Sequence, residues 1–257
     1  MLNYIIATYA GNYWEYTLQI QLQVLYTLVM KGDLEYLSQV TIVCPKVKPE
    51  HTEHPLYYQK ELWSHLFAKT NVKLVYLDYQ GENTTASYDQ WIQGYLAYPD
   101  FEYFLFIEDD YTIHPSLTTF DKLLVDYYNE SVKECNGVGY LCTLASPLNT
   151  LPHHAAISNG IVNKKTMERL GGEGLLDDFY ALAQKHRGQS QYAFSLVFEN
   201  KNVKILSTHD HFAAWYWSTV RNSLEIYSDA GVTNLLFVPT QYLLSPHFRI
   251  MRISKFA

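Results

Sequence analysis

Basic residues are in short supply. The chain carries 19 Lys and Arg against 26 Asp and Glu, a formal net charge of −7 over 257 residues. A protein of that balance lacks the cationic face by which nucleic-acid binders neutralise phosphates, so no nucleic-acid partner is expected. A single nucleotide is not excluded, because a metal ion can supply the positive charge. Cysteine is scarce too. Cys44, Cys135 and Cys142 are the only three, and none forms a CxxC pair. That argues against a disulfide framework and against a zinc site, and it fits a reducing compartment. The N-terminus has no basic leader or cleavage site, and no apolar run approaches the ~20 residues that span a bilayer. The expectation is a soluble, cytoplasmic protein of microbial or viral type, with its oligomeric state open.

What is abundant is apolar and aromatic material. Hydrophobic residues make up 48%, and there are 23 Tyr, enough to bury a core and offset the entropy of ordering. The pattern alternates. Leu2–Ala7, Gln39–Cys44, Val72–Tyr79 and Tyr103–Ile107 read as strands. Trp14–Met30, Leu56–Lys69 and a segment from an N-cap at Ser87 to Tyr98 read as helices. Four strands alternating with helices predict an α/β fold with an open, mostly parallel sheet flanked by helices. Further on, Leu117–Asn129, Lys164–Leu170, Asp177–His186 and Gln191–Glu199 read as helices. Gly137–Leu144 and Val203–Leu206 read as strands, and residues 157–162 as a short strand broken by a turn. With no linker or repeat, one domain over 1–257 is expected, divided into halves at 1–115 and 116–257.

The chemistry concentrates at Glu108-Asp109-Asp110, directly after the apolar strand Tyr103–Ile107. Three adjacent carboxylates repel one another and resist desolvation. A hard divalent ion such as Mn²⁺ or Mg²⁺ would relieve that repulsion. In parallel α/β sheets ligands bind at the carboxyl ends of strands, where this triplet and Thr8-Tyr9 both fall. His51 and His54 have no accompanying ligand spacing. Trp14, Trp215 and Trp217 suit stacking on sugar faces or packing in a core.

The stretch Phe104–Pro115 (FLFIEDDYTIHP) resembles the DXD-type segment of GT-A glycosyltransferases, and the helix Ser87–Tyr98 resembles the helix preceding it. The segment is locally similar to that of N-acetylglucosaminyltransferases. The resemblance implies a GT-A fold and transfer of a sugar from a UDP- or GDP-sugar donor to a glycan or other hydroxyl acceptor, with Mn²⁺ or Mg²⁺ as cofactor. It implies Asp110 as metal ligand, with His211 or His209 after the late strand as a further one. Glu108, Asp109, Thr8, Tyr9 and Asp89 would contact the donor. Asn159 and Gly160 would shape the sugar site, with Gly160 allowing close approach. The acidic pair expected before a late helix is missing from Ser190-Gln191. Asp177 and Asp178 are the nearest candidates for a catalytic base, so inversion or retention stays open. Two other readings stand beside this one. A non-catalytic carbohydrate-binding protein would need no base. A sugar-phosphate nucleotidyltransferase would need a Gly-rich basic loop, and the first loop here, TYAGNYW, has one Gly and no Lys or Arg.

Overall fold

The β-branched and aromatic run Leu2–Ala7 forms β1 at the centre of the protein, with every residue buried. A computed structural model describes residues 1–9, 17–32, 34–46, 57–81, 87–109, 111–113, 118–142, 145–146, 154–155, 159–186, 189–207 and 237–239. In chain order, α1 (Thr17–Lys31) leads to β2 (Leu37–Cys44), α2 (Lys60–Phe67) to β3 (Lys73–Asp78), and α3 (Tyr88–Ala97) to β4 (Tyr103–Glu108). A short β5 (Tyr111–Ile113) precedes α4 (Phe120–Ser131) and β6 (Gly139–Cys142). Then come β7 (Ala145–Ser146), β8 (His154–Ala155), β9 (Asn159–Asn163), α5 (Lys164–Leu170), α6 (Leu175–Lys185), α7 (Ser190–Asn200), β10 (Lys204–Ser207) and β11 (Phe237–Pro239).

Seven strands form one sheet in the order β10-β6-β9-β4-β1-β2-β3. β1 pairs in parallel with both β2 and β4, and β6 in parallel with β10. Only β9 runs antiparallel, between β4 and β6. Two-stranded pairs join β5 to β11 and β7 to β8. The expected α/β architecture with a mostly parallel sheet is therefore the observed one. The sheet draws β1–β4 from the first 115 residues and β6, β9 and β10 from the remainder.

Alternation along each strand divides the core in two. Tyr4, Ile6, Leu105 and Ile107 pack beneath α1, α2 and α4. Ile5, Ala7, Phe104 and Phe106 pack beneath α3, α5, α6 and α7. The helices of the first two crossovers, which move outward from β1 to β3, lie on one face. The third crossover returns past β1 to β4 and puts α3 on the other face, as right-handed connection requires. The reversal makes the crevice between β1 and β4 a topological switch point, the place where open α/β sheets bind ligands at strand carboxyl ends.

Boundaries differ from the sequence reading in instructive ways. Residues 157–162 were expected to break at a turn, yet β9 passes straight through Gly160. The helix expected from Leu56 begins at Lys60, because Gln59 sits in the left-handed region at φ 42°, which a right-handed helix cannot include. Ser87 holds the N-cap position of α3 but makes no capping hydrogen bond.

Candidate functional site

β1 and β4 end side by side, Ala7 opposite Glu108, and the loops that follow are tied across the switch point. The Asp109 amide donates to the Ala7 carbonyl at 3.0 Å. In return the Tyr9 amide donates to Asp109 Oδ2 at 2.6 Å. The same oxygen accepts the Tyr57 hydroxyl. Asp109 is 3% exposed and Tyr57 fully buried. Burial, followed by the Asp109 charge, holds the Tyr57 hydroxyl well above its ordinary pKa, so it remains a donor.

Glu108 lies on the other side of the strand. Half-buried, its Oε1 accepts the Ser87 hydroxyl at the start of α3. That hydroxyl is spent on Glu108, which is why it does not cap the helix. The α3 register is fixed further by Trp91, whose indole N–H donates to the Ile107 carbonyl at 3.0 Å.

Thr8 was expected to line a nucleotide. Instead its polar groups are used inside the protein. Its amide donates to Gln90 Oε1 at 2.9 Å and its carbonyl accepts from Gln90 Nε2 at 3.2 Å. Its hydroxyl donates to the Val43 carbonyl at 2.6 Å and meets the Tyr58 hydroxyl at 2.9 Å. Thr8 is thus a joint between β1, β2 and α3. Tyr9, half-buried against the core, is the first residue beyond that joint.

Asp89 is fully buried rather than an exposed first-turn acid. Its Oδ2 accepts hydroxyls from Tyr79, at the end of β3, and from Tyr180 of α6 at 3.1 Å. Among the described residues its Oδ1 has no partner. Burial first, then the bond to Asp89, raises the Tyr79 pKa.

Gly160, Asp177 and Asp178 have surroundings that the sequence did not show. Gly160 was assigned to close approach of a sugar. A Cβ placed there would fall on Cζ and Oη of Tyr140, so the glycine makes room for a core ring. Asp177 and Asp178 were candidates for the base. Because β9 is antiparallel, the chain leaves it at the amino edge of the sheet, where Asn163 pairs with Tyr103. α6 carries both acids exposed in its first turn. Asp178 pairs there with Lys201 at 3.1 Å, just before β10 begins. Tyr180, midway along α6 and two residues after Asp178, reaches Asp89 at the start of α3.

Asn159 pairs with Ile107 through the main chain, one register position from Glu108. Asp110, His209 and His211 lie outside the described residues, as do His51, His54, Trp14, Trp215 and Trp217. Ser207, the last residue of β10, pairs with Cys142, so β10 ends at the same carboxyl edge as β4. The donors gathered at this edge are carboxylate, hydroxyl and carbonyl oxygens, the chemistry a hard divalent ion takes. Among the described residues no group of three His, Cys, Asp or Glu is assembled for a metal. No helix among them is long and apolar enough to cross a membrane.

Sequence reasoning missed Tyr57, Tyr58, Gln90 and Ser87's bond to Glu108. Tyr57-Tyr58 looked like a helical first turn, and Gln90 carries no motif at all.

No protein-family model matches this sequence, and no curated protein does. Among solved structures, the chain is similar to the glycosyltransferase GlyE of Streptococcus pneumoniae TIGR4, with a TM-score of 0.53 and 13% identity over 92% of this chain and 53% of that one. The chain thus spans about half the length of that structure. A glycosyltransferase involved in glycosylation of the major capsid of PBCV-1 aligns with a TM-score of 0.49 and 12% identity, covering 93% of this chain and 92% of its own. At such identities the likeness is one of fold.

Proposed function

We propose that this protein is a glycosyltransferase that moves a sugar from a nucleoside-diphosphate sugar to a glycan or other hydroxyl acceptor. The observation that carries the reading is the acidic loop seated on the switch point, with Asp109 joining the ends of β1 and β4. The fold shared with GlyE supports it. So does an edge whose donors are oxygens.

In this reading the nucleotide lies across the crevice between β1 and β4, beside Tyr9. Glu108, turned toward Ser87 on the α3 side, meets the ribose or the sugar. Asp109 does not contact the donor; its Oδ2 is committed inward to Tyr57 and Tyr9. Asp110 holds a Mn²⁺ or Mg²⁺ ion, with His211 or His209. When bound, that ion supplies charge neutralisation for the departing diphosphate. Asp89, fully buried against Tyr79 and Tyr180, supports the start of α3 behind the donor site. An inverting reaction draws its base from Asp177, Asp178 or another group, and a retaining reaction needs none.

The test is a thermal-shift series with UDP, GDP and their sugars, with and without Mn²⁺, on wild type and Asp110→Ala. A ligand at about 100 times its Kd adds about 2.7 kcal/mol to stability. A Mn²⁺-dependent shift with one nucleotide, lost in Asp110→Ala, is the expected result. Sugar transfer then separates an enzyme from a binding protein on the same fold. No shift with any nucleotide would sink the proposal.

A further inference from the structure

Two consecutive tyrosines precede α2, and their hydroxyls reach the two loops that frame the switch point. Tyr57 donates to Asp109 after β4. Tyr58 meets Thr8 after β1 at 2.9 Å. The rings pack edge to face, centroids 4.8 Å apart and planes at 88°. Tyr57 is itself held from behind. Its carbonyl accepts the Gln19 side-chain amide of α1, and Gln19 Oε1 accepts the Trp63 indole of α2 at 2.6 Å. A chain of bonds thus runs from two helices through Tyr57 to the middle carboxylate of the triplet.

That carboxylate needs such a partner. Next to Glu108 and Asp110, an unrestrained Asp109 would share one solvated loop with two like charges. Drawn inward to Tyr57 and the Tyr9 amide, it is removed from that loop and fixes the main chain at the position before Asp110. On the far side, β5 begins at Tyr111 and is paired with β11.

We infer that Tyr57 is a positioning residue: its hydroxyl, by sequestering Asp109, fixes the acidic loop at the carboxyl end of β4 and thereby sets the affinity for a nucleoside diphosphate with its divalent ion. The inference rests on the glycosyltransferase reading above. It assigns Tyr57 no contact with the substrate.

The experiment measures Mn²⁺ binding, by electron paramagnetic resonance of the free ion, in the presence of UDP or GDP. Wild type, Tyr57→Phe and Tyr128→Phe are compared, with a thermal melt of each. Tyr128 is an equally buried tyrosine whose hydroxyl donates to the Gly139 carbonyl at 2.9 Å, at the amino edge of the sheet. Both variants lose a buried hydroxyl. Tyr57→Phe is expected to weaken Mn²⁺–nucleotide binding by about tenfold or more, as loss of an outer-shell partner does, and Tyr128→Phe to leave it unchanged at a similar loss of melting temperature. Equal affinity in folded Tyr57→Phe and wild type overturns the inference alone. Equal weakening in both variants also overturns it, because the effect then tracks stability. No Mn²⁺-dependent binding by wild type overturns the proposed function and this inference with it. Should Tyr57→Phe not fold, Asp109→Asn carries the test, since it removes the charge that Tyr57 serves, and wild-type affinity there overturns the inference.

Discussion

Among the described residues three aspartates, Asp89, Asp109 and Asp121, are buried to 3% exposure or less, and each withstands burial by a different set of donors. Asp109 draws on a tyrosine and an amide among its partners. Asp89 uses two tyrosines and, among the described residues, leaves one oxygen unmatched. Asp121 is a staple made almost wholly of main chain. Its Oδ2 accepts the amides of Glu35, Tyr36 and Leu37 at 2.9, 2.6 and 2.9 Å, and its Oδ1 accepts the Lys122 amide at 2.8 Å. It ties the first turn of α4 to the entry of β2, and the Tyr36 carbonyl in turn receives the Leu2 amide. Asp121→Ala leaves several amides without an acceptor in a place water reaches poorly. It is expected to cost about 3 kcal/mol in urea denaturation while nucleotide affinity stays at the wild-type value. The ion pair of Lys122 with Glu35 beside it is about half exposed on both sides and contributes little.

At the scale of elements, what could be read from sequence and what could not follow from how local each cause is. β1 and β4 are continuous apolar runs, and burial on both faces is written in their composition. α5 falls on Lys164–Leu170 as its spacing predicts, with Asn163 Oδ1 accepting the Thr166 amide at 2.9 Å as a proper cap. β9 was expected to break because Gly160 reads as a turn. The reason for that glycine sits twenty residues earlier, in Tyr140. The polarity of β9 was equally invisible. The acidic loop itself was legible, since its position depends only on the strand before it. Its clamp was not, because Tyr57 reaches it across 52 residues. Gly160 makes the point testable. Tyr140 is fully buried, stacked on Phe106 at 6.4 Å and against Phe198 at 5.0 Å, so its ring has nowhere to retreat. Gly160→Ala is expected to destabilise by about 1–3 kcal/mol through overpacking, and Tyr140→Val in the same chain to restore part of the loss, as read by chemical denaturation.

At the scale of the molecule, the tyrosines that join loops and fill both cores also link stability to pH. Tyr4, Tyr57, Tyr58 and Tyr140 are buried, and burial is the largest cause raising each hydroxyl above its ordinary 10.0. The unfolded chain ionises these groups near 10, whereas the folded chain holds them neutral to higher pH. Above that value the unfolded state binds fewer protons than the native state, so the stability curve must slope downward as pH rises. Below it both states are protonated, and the contribution is fully present and flat. Each protected tyrosine removes about 1.4 kcal/mol per pH unit once its unfolded form has ionised. With four such groups the slope is several-fold steeper than one exposed tyrosine could give. Urea denaturation from neutral to strongly alkaline pH should therefore show a plateau followed by a cooperative collapse above about pH 10. Tyrosinate absorbance should show these residues ionising together with unfolding and not before it. Tyr57→Phe removes one titrating group and should make the alkaline slope shallower by one proton. A protein that lost stability evenly from neutral pH, or whose tyrosines titrated while it remained folded, would not have its loops and cores held by neutral buried hydroxyls.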